Sequence, residues 1–351
     1  MTHRPWYATR EEVKAELDVR ETARSNARVD RAIEAACETV EGALHRTFYP
    51  ETDTRYFDWP NGQYARPWRL WLDGNEVISV TTLSSGGTTI AASDYFLEPN
   101  TYGPPYNQIQ IDLDSNAAFG GGDTHQRDIT VTGLFGYRND ESTLGATVEA
   151  LDASETGVDV DGATSAAVGI GSLLRVDTER LIVTGRAQLD TGQNLGGDLT
   201  ATNSNTTVAV ADGTAYAADE VIRIDSEKMR VDDIAGNNLT VTRAWDGTTL
   251  AAHTTGADIY APRTLTVTRG ALGTTAATHL TAATVYRWDP PAAVRQLCLA
   301  EAVNDLLQGR SGYARTAGSG ENEREMTGRG LEKLRQRVYV SHARKARTRA
   351  V

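Results

Sequence analysis

Two stretches near the ends of the chain carry apolar residues at helical spacing. The stretch 25–48 alternates these residues with acids and arginines, as expected for a solvated helix with one buried stripe. Its apolar positions include Val29, Ile33, Cys37, Val40 and Leu44. The stretch 289–310 opens with Asp289 as a capping residue and Pro290 in the first turn. Its apolar positions, among them Val294, Leu297, Val303 and Leu306, cover more than half of the helix circumference, which predicts burial against partners.

The pattern between these two helices predicts β-structure. A capping box at Thr9 and Glu12 predicts a short first helix before the main one, which should extend to about Thr47. From Arg55 onward, short aromatic or β-branched runs alternate with turn signals such as Asn61-Gly62 and Asp73-Gly74. Antiparallel hairpins are therefore expected.

An internal repeat occupies the segment 139–287, where Ala, Thr, Gly, Asp and Val dominate. The run LLRVDTERLIV at 173–183 matches VIRIDSEKMRV at 221–231, so that Asp177 and Asp225 are equivalent with an offset of 48. A second echo relates LTVTRAWDGTTLAAH, from Leu239, to LTVTRGALGTTAATH, from Leu265, with an offset of 26. Each copy predicts a short antiparallel β unit.

These patterns predict an α+β fold: a small helical bundle with β-hairpins, plus an inserted all-β domain of repeated short antiparallel strands. The predicted domains are a body formed by 1–138 and 288–310, an insert at 139–287, and a flexible linker with a basic tail at 311–351. An insertion of this size is tolerated where the two ends of a loop stay close together.

Composition narrows the function classes. The net charge of -12 argues against a general nucleic-acid-binding surface. The sequence shows no long apolar run and no signal-peptide pattern, so a soluble protein that is not exported by that route is expected. The two cysteines, Cys37 and Cys298, both fall on predicted helices and are interpreted as small buried hydrophobic residues rather than as a disulfide, although packing of the two helices could make them neighbours.

No motif predicts catalysis, a cofactor or a metal. His253 and His279 occupy matching repeat positions, which explains their recurrence without a ligand role. An isolated calcium site through Asp177 and Glu179, or through their equivalents Asp225 and Glu227, stays open, but turn capping is the preferred interpretation of these acids. The sequence predicts a protein that is not an enzyme.

The C-terminal end is locally basic on an acidic chain, and three interpretations are open: a solvated disordered end, contact with nucleic-acid phosphate, or docking on an acidic protein. A weak helical stripe favours ordering on a partner. The residues predicted to dock are Leu331, Lys333, Leu334, Arg335, Arg337, Val338, Tyr339, Arg344 and Lys345.

The order of motifs resembles the head–tail connector family of long-tailed phages, also called adaptor or head-completion proteins. The motifs are YATREEVKAEL, ARVDRAIEAACETVEGALHRTFYP, RYFDW, RLWLDGNEVISVTTLSSGG, DITVTGLFGY and DPPAAVRQLCLAEAVNDLL. The resemblance covers roughly 1–138 and 288–310. The chain departs from the family where about 150 residues separate DITVTGLFGY from the Pro-Pro helix start.

The resemblance implies a structural virion protein at the head–tail junction, made in the host cytoplasm. Its implied partners are further copies of itself in a ring of typically twelve, the portal protein and a neck or tail completion protein. DNA would pass through the channel without specific binding, and no membrane is involved. The predicted ring-interface residues are Val29, Ile33, Val40, Leu44, Val294, Leu297, Val303 and Leu306. The alternative is a virion-surface or carbohydrate-binding β-module protein of the fibre or decoration type.

Overall fold

The predicted fold class is wrong, because β-sheet dominates the structure. The computed structural model describes residues 4–17, 26–60, 66–310, 316–317, 324–325 and 329–344. Strands hold 36% of the residues and helices 23%, in large antiparallel sheets rather than in a helical bundle that carries an insert. The described residues contain five α-helices: α1 (Arg10–Glu16), α2 (Asn26–Leu44), α3 (Gly162–Ala167), α4 (Ala292–Arg310) and α5 (Arg329–His342).

The ends of the helices show which of the local sequence signals predicted the structure correctly. The capping box at α1 is confirmed: Glu12 N–H donates to Thr9 Oγ1, and Thr9 N–H donates to the Glu12 carboxylate. Helix α2 ends at Leu44, three residues before the predicted end. The predicted cap of α4 is wrong, because the Asp289 carboxylate accepts from Ser142 and Arg287 instead, and α4 begins only at Ala292.

The chain divides into two compact units. Unit 1 holds 1–40, 141–271 and 275–338, and unit 2 holds 41–140, 272–274 and 339–351. Unit 2 contains a four-stranded and a three-stranded antiparallel sheet, in the orders β1-β7-β3-β4 and β2-β6-β5. Their strands are β1 (Glu51–Phe57), β2 (Arg69–Trp71), β3 (Val77–Ser85), β4 (Thr88–Ile90), β5 (Tyr95–Glu98), β6 (Gln108–Ile111) and β7 (Ile129–Phe135).

Unit 1 is built around one ten-stranded antiparallel sheet. Its strands are β8 (Glu141–Ala146), β9 (Gly157–Asp159), β10 (Leu173–Val176), β11 (Glu179–Asn194), β12 (Thr207–Ala209), β13 (Val221–Ile224), β14 (Glu227–Ala235), β15 (Asn238–Thr242), β16 (Asp258–Thr268) and β17 (Thr284–Trp288). The strand order is β12-β15-β14-β13-β16-β11-β10-β17-β8, and β9 pairs with β16. The pairing β18 (Thr316–Ala317) with β19 (Arg324–Glu325) forms a separate short ribbon.

Most of this sheet consists of two copies of one module, one nested inside the other. The outer module comprises 147–187 and 264–287, and the inner module comprises 195–235 and 238–261. Adding 48 to a residue number in 147–187 gives the equivalent residue of the inner module. Subtracting 26 from a residue number in 264–287 does the same for the second part of the module. For example, the pair Arg175↔Tyr286 becomes Arg223↔Tyr260, and the bulge at Val183/Gly185 recurs at Val231/Asp233. The inner module therefore occupies the position of the outer module's β11–β16 turn.

Nesting explains why the fold-class prediction failed. The sequence pattern suggested separate short strands, whereas β11 and β16 are long strands, of 16 and 11 residues, that run through the junction between the modules. Moreover, β8 and β17, from the two ends of the predicted insert, pair with each other and join the same sheet. The boundaries of the two units also differ from the predicted domains, whose assignment stays a prediction.

Each module encloses its own apolar core. Leu174, Leu181 and Leu265 belong to the core of the outer module, and Ile222, Met229 and Leu239 belong to that of the inner one. Among the described residues, no helix combines the length and the apolar character that a membrane crossing requires.

Candidate functional site

A cluster of four ionisable side chains, three of them buried, holds the outer module together. Glu179, at the start of β11, has a side chain with no exposed surface. The Arg269 guanidinium grips this carboxylate with both Nε and Nη2, at 2.7 and 2.8 Å. The backbone amides of Gly270 and Ala277 also donate to it, at 2.8 and 3.0 Å. A single carboxylate therefore ties the hairpin β10–β11 to the chain that follows β16.

His279 completes the outer cluster. Its Nε2 lies 2.8 Å from Glu179 Oε2, and its Nδ1 lies 2.7 Å from the carboxylate of Asp177. The His279 side chain is 1% exposed, whereas that of Asp177 is 64% exposed. Asp177 sits at the hairpin tip with φ +51°, a left-handed conformation that Asp tolerates better than most residues.

The inner module repeats the cluster atom for atom. Arg243 grips Glu227 at 2.8 Å through both Nε and Nη2, and the amides of Ala244 and Ala251 donate to the same carboxylate. His253 lies between Glu227 and Asp225, at 3.0 and 2.7 Å. Because the same cluster recurs in both copies, we infer that the fold of the module requires it.

Five donors converge on each glutamate and fix it as an anion. Burial of the Glu179 carboxylate raises its pKa, but hydrogen bonds from Arg269, from His279 and from two backbone amides lower it by a larger amount. The pKa therefore falls from 4.5 to about 2. The same opposing causes bring the pKa of Glu227 to about 2. Each carboxylate offers about four lone-pair sites, so its five donors saturate it.

The ring nitrogens of the histidines also contact carboxylates of the clusters. Both ring nitrogens of His279 face carboxylate oxygens, and an ionised carboxylate only accepts hydrogen bonds. Both contacts are therefore hydrogen bonds when the ring carries two protons. In that state the cluster contains two cations and two anions, so its charges balance within the module. Asp177 and Asp225 lie in hairpin turns as predicted, and each carboxylate contacts a histidine.

A further buried ion pair lies where the modules meet. Glu220 has a fully buried side chain and accepts from Arg263 Nε and Nη2, at 2.8 and 2.9 Å. The same guanidinium donates to the carbonyl of Ala215. Arg263 lies on β16 between the parts of that strand that belong to the inner and the outer module, so this pair attaches the inner module to the junction.

The large aromatic rings of the inner module contact arginines or lie in its core. Tyr216 is 5% exposed, and the guanidinium of Arg223 lies 4.5 Å from the centre of the Tyr260 ring. Arg230 lies at the same distance from the centre of the Trp245 ring. In the described part of the chain, no group of three or more His, Cys, Asp or Glu side chains has a metal-holding arrangement.

The predicted ring-interface residues are mostly buried within the chain. Seven of them are at most 2% exposed, and Val303 is half-buried. These seven are Val29, Ile33, Val40, Leu44, Val294, Leu297 and Leu306. They form part of the core of a single chain, so a contact between copies would use the outer faces of α2 and α4. Their role between copies stays a prediction.

The predicted docking residues fall into two groups on α5. Leu334 and Val338 are buried within the chain, and Arg335 pairs with Glu301 through Nε and Nη2, at 2.5 and 2.8 Å. Lys333, Arg337 and Tyr339 are exposed, and Leu331 is half-buried. Arg344, just beyond the helix, donates to the carbonyl of Asp73 at 3.0 Å. Lys345 and most of the predicted linker lie outside the described residues.

No protein-family model, curated protein or solved structure matches this chain.

The sequence did contain a signal for the two clusters. The echoes carry Asp and Glu in the first element and Arg and His in the second, at constant offsets of 48 and 26. It could not show which Arg–His arm closes on which hairpin. The structure pairs the first hairpin with the last arm, so the partners Asp177 and His279 are 102 positions apart, whereas Asp225 and His253 are 28 apart.

Proposed function

We propose that this chain is a structural virion protein, the adaptor that joins the head of a tailed virus to its neck and tail. The observation that carries the proposal is the order of the connector-like motifs. In the structure these motifs form α1, α2, β1, the run from β2 to β3, β7 and α4, in that order. The implied ring of copies and the portal as a partner belong to the same proposal.

The chemistry of the modules supports a scaffold. Glu179 and Glu227 are saturated with donors from their own module, so their charges serve to hold hairpins and arms together. Tyr216 is buried, and the half-buried rings of Trp245 and Tyr260 each contact an arginine, whereas sugar-binding modules use open aromatic faces. The adaptor is therefore preferred over the carbohydrate-binding alternative.

The outward face of α5 is the proposed portal-docking surface. Since Leu334 and Val338 already pack inside the chain, docking would rest on Lys333, Arg337 and Tyr339. Lys333→Glu combined with Tyr339→Ala should abolish co-purification with the portal protein and leave the far-ultraviolet circular dichroism unchanged. Undiminished co-purification would remove α5 from the docking surface.

Excision of the inner module is an experiment that distinguishes the adaptor role from that of a surface-binding protein. The β14–β15 turn is Gly236-Asn237, and the flanking pair Ala235↔Asn238 corresponds to Ala187↔Thr264 of the outer module. Replacing 188–263 by Gly-Asn should therefore close the outer module with its own kind of turn. The excision removes Glu220 and Arg263 together, so neither charge is left buried alone.

The adaptor proposal predicts that heads and tails still join in virions that are complemented with the chain lacking 188–263. A protein that acts through its modules would lose its activity on excision. A matched control replaces only Asn203-Ser204, which are exposed residues within the inner module, by Gly-Gly. Particles with unjoined heads and tails from the excised but folded chain would contradict the proposal.

A further inference from the structure

Two free thiols face each other inside unit 1. The Sγ atoms of Cys37 on α2 and Cys298 on α4 lie 3.5 Å apart, although the residues are 261 positions apart in sequence. They are the only two cysteines in the chain. Both are free, and they are 8% and 0% exposed. A disulfide needs an S–S distance of about 2.05 Å, so small side-chain movements separate the present contact from a bond.

The N-terminal segment covers this thiol pair. Tyr7 N–H donates to Cys37 Sγ at 3.5 Å, and Tyr7 and Ala8 are each 1% exposed. Hydrogen bonds to other parts of unit 1 hold the segment in place. Trp6 N–H donates to the carbonyl of Gly171, Arg10 pairs with Asp30 through two hydrogen bonds, and Glu11 accepts from the amide of Ile170. We call residues 6–11 the strap.

The covered thiols are expected to be unreactive. The hydrogen bond with Cys37 raises the pKa of the Cys298 thiol, and burial raises it further. Thiol–disulfide exchange requires a thiolate and an approach path for the oxidant, and the strap denies the path. Reaction therefore requires the strap to lift.

We propose that Cys37 and Cys298 form a redox-sensitive clasp between α2 and α4, gated by the strap. A disulfide oxidant such as oxidised glutathione supplies the electron acceptor. The Cys37 thiolate attacks one sulfur of the oxidant and releases the first small thiol, and the Cys298 thiolate then displaces the second from the mixed disulfide. Two protein thiols are oxidised to one disulfide, and one oxidant molecule is reduced to two thiols.

The clasp would stabilise the folded chain in an oxidising medium. Closing a loop of this length removes much conformational entropy from the unfolded chain, and longer loops gain more. Thiols stay reduced in a cytoplasm and become oxidised outside the cell. The clasp is then open while the protein folds and closed once the protein meets an oxidising medium. This chemistry does not depend on the proposed adaptor role.

The test equilibrates the full chain with oxidised glutathione, both directly and after unfolding and refolding in the same buffer. The clasp predicts that alkylation under denaturing conditions labels neither cysteine and that the intact mass falls by two hydrogens. Cys37→Ser and Cys298→Ser should each block the bond and leave a single thiol, free or bound to glutathione. Two alkylable thiols, or two glutathione adducts, in the refolded sample would overturn the clasp.

The strap is tested separately through the rate. Arg10→Ala removes the paired contact with Asp30, and loss of a charge-assisted hydrogen bond should speed closure of the native clasp by about tenfold. Glu16→Gln, an exposed change on the same helix, is the matched control and should not alter the rate. Equal rates for the two variants would show that the strap does not gate the thiols.

Discussion

Replacing Glu179 by alanine is expected to lower the free energy of unfolding by about 3 to 5 kcal/mol, because removing one partner of a buried ion pair leaves the other charge unpaired. Arg269 would keep its contacts with the carbonyls of Asp152, Glu155 and Ala277 but lose its counter-ion. His279 and two backbone amides would lose an acceptor as well. Chemical denaturation at neutral pH measures the change.

The duplication supplies an internal replicate and a control. Glu227→Ala should cost a similar amount, since its five donors are equivalent. Asp177→Asn removes a charge from the same cluster at a side chain that is 64% exposed, so it should cost much less. If Glu179→Ala and Asp177→Asn were equally mild, the cluster would not hold the module together.

Acid is expected to destabilise both modules between pH 4.5 and pH 2. The pKa of each buried glutamate lies at about 2 in the folded chain, below the ordinary 4.5, so the folded state binds the proton less well than the unfolded state. The stabilisation is therefore fully present above pH 4.5 and is lost as the pH falls toward 2. The gap corresponds to about 3 kcal/mol for each glutamate.

Denaturant unfolding at a series of pH values between 6 and 2 tests this expectation. Glu179→Gln is the matched variant, because glutamine cannot titrate. It should be less stable than the natural chain at pH 6, and its stability should fall less steeply on acidification. Parallel curves for the two proteins would show that Glu179 does not carry the acid sensitivity.

Local signals in the sequence predicted local structure well. The Thr9–Glu12 capping box, the stripe of α2 and the matching hairpin tips at Asp177 and Asp225 are all present in the structure. Each depends on residues within a few positions of one another, where spacing and backbone preference decide the outcome. The start of α4 failed because a tertiary partner, Ser142, took the carboxylate that could have capped the helix.

Long-range closure could not be predicted in the same way. Nothing local distinguishes an Arg–His arm that closes on the nearer hairpin from one that closes on the farther hairpin, because Arg243 and Arg269 sit in nearly identical sequences. The choice depends on which strands extend through the junction, and in the structure these are β11 and β16. The pairing of Cys37 with Cys298 was open for the same reason.

The most direct test of the adaptor assignment is the location of the chain in the particle. The turn at Asn203-Ser204 is exposed and is the preferred position for a tag over 194–197, because Leu195 is buried and the amides of Leu195 and Gly196 are hydrogen-bonded. Gold label on tagged virions is expected to cluster at the head–tail junction. Label at the tail tip or over the capsid would contradict the account and favour a surface-binding protein.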